Sequence, residues 1–236
     1  MIILKKMRIG AQDLWSSVLR PAAFYTHVKN QLDENADGAQ VRFLTRAALA
    51  LLELMIVCVI VLVFSASVSQ EQIAVSLESM DAYLEADALV PVFGKTNPWE
   101  HLLFPVSWAL IICYDTILRY ATGRMLGDIQ VRFRSMLAVC MLAATPLIVM
   151  GTCIAVYNNL FPFTRLTGGG AGWRILIQWL LLVGAFIYEA YLCVQAFRIL
   201  FRQNSGRAVF TWLAPTVFFV VFVIGFFTIS NLLRNG

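Results

Sequence analysis

Three carboxylic acids, Glu53, Asp115 and Glu189, stand inside long apolar stretches of this 236-residue chain. An ionisable side chain in hydrocarbon commonly costs ~2.5–3.5 kcal/mol on insertion scales, so each needs a partner or a purpose. At 1.5 Å per helical residue, Glu53 lies ~10 Å beyond Arg46, Asp115 ~6 Å from Arg119 and Glu189 ~13 Å from Arg198. All three therefore belong to the half of the membrane nearer the basic loops. Two uses are open to them. Glu53, Asp115 and Glu189 could line a half-channel or a proton or ion site. Alternatively, Asp115 pairs with Arg119 one turn away, while Glu53 and Glu189 accept hydrogen bonds between helices, burial favouring a protonated Glu189. Glu53, Asp115, Arg119 and Glu189 are thus the candidate buried polar cluster. Only Gln178 offers a polar continuation toward the other surface.

Other chemistries find less support. Met136, Cys140, Met141, Met150 and Cys153 put soft sulfur on one segment, a pattern that suits copper(I) but also ordinary core filling. The two histidines, His27 and His101, fall on opposite sides of the membrane, so no catalytic dyad and no metal site is expected. Gly-x-Ser-x-Gly, His-Glu-x-x-His and Cys-x-x-Cys patterns are absent. The glycine-rich run at 167–172 lacks a following Lys-Ser/Thr and reads as a turn rather than a phosphate loop. No enzyme and no cofactor is expected. The five cysteines all lie in apolar segments and read as inert thiols.

The elements that must position these residues are helices in a bilayer. Hydrophobic residues make up 60% and charged ones 14%, against about a quarter charged in soluble domains, which argues against a cytosolic enzyme or a nucleic-acid binder. Continuous apolar runs without period-two alternation predict an all-α, polytopic bundle rather than a barrel. Five spans are expected, near 43–65, 99–118, 135–158, 173–197 and 209–232. They form a transmembrane domain over 43–236, preceded by a cytoplasmic amphipathic segment over 1–42. No cleavable signal peptide is visible, so the first span serves as targeting signal. Pro146 and Pro215 would kink the third and fifth spans and free carbonyls for a polar cluster.

Basic residues crowd one side: Lys5, Lys6, Arg8, Arg20, Lys29, Arg42 and Arg46 precede the first span, and Arg119, Arg124, Arg132, Arg134, Arg198, Arg202 and Arg207 fill two loops. Only Lys95, Arg165, Arg174 and Arg234 face the other side. The positive-inside rule then places the N-terminus in the cytoplasm and the C-terminus outside, in a membrane expected to be the bacterial inner membrane. Within the first 42 residues, Trp15, Leu19, Phe24 and Val28 are expected to meet the membrane surface, or else to pack on the ends of the bundle. The external segment 67–98 is acidic, and Ile73, Leu77, Met80 and Leu84 mark an external amphipathic helix. Small residues, namely Ala47, Ala48 and Ala50, Gly151 and Ala155, and Gly184 and Ala185, are candidate points of close helix approach.

Three local pieces resemble the Yip1-domain family in its bacterial form. Leu14-Trp15-Ser16-Ser17-Val18-Leu19-Arg20-Pro21-Ala22-Ala23-Phe24-Tyr25 is similar to the pre-membrane "hydrophobic…Pro-x-x-Phe" segment. Gly123-Arg124-Met125-Leu126-Gly127, leading through Met136-Leu137 to Ala144-Thr145-Pro146, resembles the glycine-containing loop and proline-bearing third span. Ser205-Gly206-Arg207-Ala208 before Pro215 resembles the loop entering the last span. The Asp-Leu-Tyr-Gly-Pro element of eukaryotic members is missing, so their small-GTPase and vesicle-traffic role does not carry over. The resemblance implies a five-span, non-enzymatic membrane adaptor, and the expectation is a scaffold or accessory subunit. Its partners would be the lipid bilayer and a membrane protein or further copies of the chain, with no nucleic acid. The rival expectation is a small transporter or channel that uses the buried carboxylates.

Overall fold

A computed structural model of the chain describes residues 12–34, 36–80, 103–128, 131–161 and 171–235. The described elements are all helical: α1 (12–19), α2 (Pro21–Glu34), α3 (Ala36–Met80), α4 (Phe104–Met125), α5 (Phe133–Ala143), α6 (Thr145–Leu160), α7 (Ala171–Leu200) and α8 (Ser205–Asn235). Among the described residues, four stretches are long and apolar enough to cross a membrane: Gly38–Ser67, Phe133–Leu160, Gly172–Leu200 and Ser205–Phe226. The protein is accordingly a multi-pass, all-α membrane protein. The helix in the place of the expected second span, α4, has 22 residues, enough for ~33 Å, but carries Asp115, Arg119 and Arg124 and is not among the four.

The described helices differ from the expected ones in several places. The first spanning helix does not stop near Ser65, because α3 continues unbroken to Met80. The described part of the acidic segment is therefore an extension of that helix, and Leu84 lies outside the described residues. The third span is divided at Ala144 into α5 and α6. Pro146 has no N–H to give the carbonyl of Leu142, and its ring disfavours a continuous helix there. Pro215, by contrast, is accommodated inside α8. The structure also corrects the small-residue expectation. Ala47, Ala50 and Ala185 are buried, but Gly151 and Gly184 face open space where a Cβ would point. Close approach is instead made by Ala138, Ala143 and Ala196, all fully enclosed.

The helix α3 packs along α5 and α6, while α7 packs on α2, α6 and α8, and α4 bridges α5 and α8. Their shared core includes Tyr25, Ile112, Met136, Val139, Leu192 and Phe197. Outward faces are apolar as well: Trp179, Ile187, Phe218 and Phe222 are all exposed. That is the pattern of helices that meet lipid rather than water.

One face of α2 packs on the bundle. Val28 is buried and Phe24, partly buried, packs against the core, which is the second of the two expected arrangements. Trp15 and Leu19 on α1 remain exposed. The first helix is tied down by the Tyr188 hydroxyl, which donates to the Val18 carbonyl at 2.7 Å, and by an Asp13–Arg46 ion pair at 3.1 Å. Burial pushes the Asp13 carboxyl above its usual range, and Arg46 offsets part of that push.

Candidate functional site

The carboxylate cluster forms around Arg119, which α4 carries into the interior one turn after Asp115. Arg119 is 4% exposed. Nη2 lies 3.0 Å from Glu189 Oε1 on α7 and 3.3 Å from Asp115 Oδ2 on its own helix. Nη1 donates to Cys193 Sγ at 3.0 Å and approaches Cys140 Sγ on α5 at 3.8 Å. The Cys193 thiol in turn donates to Glu189 Oε1 at 3.0 Å, and the Trp212 indole N–H on α8 donates to Glu189 Oε2 at 2.6 Å. One guanidinium thus joins groups from α4, α5 and α7, and Glu189 carries the network on to Trp212 of α8.

Each member reaches this point for a sequence-local reason. Asp115 and Arg119 are four apart on α4, as are Glu189 and Cys193 on α7, so each pair shares a helix face. Glu189 is 3% exposed, and two of its three described donors are supplied by Arg119 and Trp212 from other helices. Around the cluster, Arg119 Nε, Tyr25 Oη and Thr211 Oγ1 are enclosed without a protein partner.

Of the four residues expected to cluster, the structure brings together Asp115, Arg119 and Glu189 and leaves Glu53 out. The Glu53 Oε1 is buried without a hydrogen-bond partner, and Glu53 enters none of the described ion pairs. The cause is helix phase: the buried stripe of α3 runs through Ala47, Ala50, Met55, Cys58 and Leu62, and Glu53 falls on the opposite side. Gln178 does not continue the cluster; its amide donates to Asn158 Oδ1 at 2.7 Å. Met136 and Cys140 are core residues, and among the described residues no group of three or more His, Cys, Asp or Glu side chains is placed to hold a metal.

A second polar cluster joins the two loops singled out in sequence. The Gln203 amide, from the α7–α8 loop, donates to Asp128 Oδ2 at 2.7 Å, and Arg207 Nη1 lies 3.4 Å from Asp128 Oδ1. Asp128 follows Gly127, whose φ of +83° is a left-handed turn that glycine adopts without strain. Asn204 caps α8 by accepting from the Arg207 backbone N–H at 2.9 Å. Arg202 lies 3.9 Å from Asp33, and Gln40, with its side-chain amide turned so that the oxygen faces Arg132, accepts from Arg132 Nε at 3.1 Å, which brings further helix ends to this side. The basic loops therefore gather at one end of the bundle.

Sequence reasoning missed Trp212, Cys193 and Cys140 as members of the first cluster. The four-residue spacing of Glu189 and Cys193 was a legible signal. Nothing local marks Trp212, because its role depends on how α8 lies against α7. Compared with known proteins, the chain matches no family model, no curated protein and no solved structure.

Proposed function

We propose that this protein is a non-enzymatic scaffold or accessory subunit of a membrane assembly, built on a Yip1-like plan. The observation that carries the reading is the closure of Arg119 by two carboxylates and a thiol. A transport site must bind and release its ion, and so needs a ligand position that empties and fills. Here the side chains of both Arg119 and Glu189 are 5% exposed and face each other. Such a pair acts as an interhelical clasp, setting which helices are neighbours more than it adds stability.

In this reading α4 is a fifth span, since its Asp115 and Arg119 charges are matched by each other and by Glu189. The gathered basic end faces the cytoplasm by the positive-inside rule, with the N-terminus on that side and the C-terminus outside. With bacterial-type loops, the membrane is the inner one. Helix α1 lies at the interface, its exposed Trp15 and Leu19 directed to lipid.

Isolation in mild detergent followed by native mass measurement tests the proposal, with proton and cation flux into liposomes measured in parallel. A stoichiometric second protein and no flux above empty liposomes are expected. Flux that Glu189→Gln abolishes would overturn the reading in favour of a conducting site.

A further inference from the structure

Glu53 is the intramembrane acid that the Arg119 cluster does not use. Its helix, α3, buries Ala47, Ala50, Met55, Cys58 and Leu62 against the bundle. The other side presents Leu52, Ile56, Ile60 and Phe64, each between 48% and 69% exposed. Glu53 sits among these, partly exposed, with Oε1 enclosed and unpartnered. Acids inside a span almost always face protein or water rather than lipid. That face therefore calls for a cover that can also hydrogen-bond a carboxyl, since this chain encloses Oε1 without pairing it.

We propose that the cover is a second copy of the same chain, packed through α3 with the two Glu53 carboxyls paired across a two-fold axis. Three considerations select that occupant. Copies inserted with the same topology, and related by an axis along the membrane normal, carry each residue at the same depth as its counterpart. A Glu53–Glu53 pair thus meets the depth requirement with no further residue. Two carboxyl groups are also self-complementary, because one that is protonated donates its O–H to an oxygen of the other. Finally, Leu49, Glu53, Ile56, Ile60 and Val63 follow each other at spacings of 4, 3, 4 and 3, the seam of a left-handed helix pair. Leu49 and Val63 are half-buried at its ends, and Ile56 and Ile60 are open between them. A closed two-fold dimer needs one such self-complementary surface. The inference is independent of the scaffold reading, since it concerns a face that the Arg119 cluster does not touch.

The test uses the full chain with the exposed Cys113 and Cys153 replaced by serine. It is reconstituted in phosphatidylcholine vesicles over a range of protein-to-lipid ratios, and subunits are counted by single-molecule photobleaching. Dimers are expected for the parent protein. Glu53→Leu should weaken dimerisation about tenfold, the scale of one to two interhelical hydrogen bonds in a membrane. Glu53→Gln, whose amide can pair with its copy, should stay within about threefold of the parent. In an otherwise unchanged chain, Ile56→Cys should cross-link between copies and Phe218→Cys on α8 should not. That measurement does not depend on how the Glu53 variants fold. Monomers at every ratio, a Glu53→Leu dimer as stable as the parent, or cross-linking at position 218 in place of 56 would each overturn the proposal. None of these results depends on whether a second protein or ion flux is found.

Discussion

Removing Arg119 should be far more damaging than removing Arg119 and Glu189 together. In Arg119→Met, Glu189 keeps its Trp212 and Cys193 donors but loses its cation, and its side chain is only 5% exposed. Breaking a buried ion pair on one side costs about 3–5 kcal/mol, because the remaining charge has neither counter-ion nor water. Glu189→Gln is milder, at about 1–3 kcal/mol. The amide oxygen still accepts from Trp212, and Arg119 retains Asp115 at 3.3 Å, a pair whose acid is 27% exposed and therefore partly screened. In the double variant no deeply buried ion is left uncompensated, so its cost should fall below that of Arg119→Met alone. The expected coupling therefore exceeds the Glu189→Gln cost itself, so at least about 1 kcal/mol, above the few tenths seen between independent sites. The assay is reversible unfolding of the four proteins in mixed micelles, with the loss of helix followed by circular dichroism. Additive effects, or an Arg119→Met protein within ~1 kcal/mol of wild type, would refute the clasp.

Further expectations follow from single contacts. Trp212→Phe deletes the indole donor to Glu189 while keeping an aromatic ring against Phe186, and should cost about 1–3 kcal/mol in the same unfolding assay. Asp128→Ala leaves the buried Gln203 amide without its acceptor and releases Arg207. Hydrogen exchange should show faster opening of the α7–α8 loop, with a stability loss of about 1–3 kcal/mol. Gly123→Val should be worse than Gly127→Ala. A Cβ at 123 already stands 3.3 Å from Val131 Cγ2, whereas 127 has open space and incurs only left-handed backbone strain of about 1–2 kcal/mol. The Asp13 carboxyl titrates above its unfolded value, so its contribution is fully present below that value, near 3.9, and is lost as pH rises through the folded one. Acidifying from pH 7 to 5 should therefore not loosen α1 through this group, as limited proteolysis after residue 20 would report.

Much of the architecture could be read from composition and spacing. Long apolar runs require helices in lipid because no water is available to satisfy an exposed backbone there. Four spanning helices, the break near Pro146 and the Asp115–Arg119 pair follow from rules that act over a few residues. The clustering of the three acids was only partly legible. Depth along a helix can be counted at 1.5 Å per residue, and by depth alone Glu53, Asp115 and Glu189 look alike. What separates them is rotation about the helix axis and the choice of neighbours. In a span that is apolar all round, no amphipathic stripe announces the buried side.

Packing alone thus placed Glu189 against Arg119 and Trp212 and turned Glu53 away from them. It also carried Val28 into the core, although the same apolar face on α2 could equally have met a membrane. Local sequence determined helix and apolarity, because those depend on backbone hydrogen bonds and transfer from water. The tertiary structure decided which polar groups share an interior, because a guanidinium, two carboxylates and an indole from three helices meet only when those helices are fitted side by side.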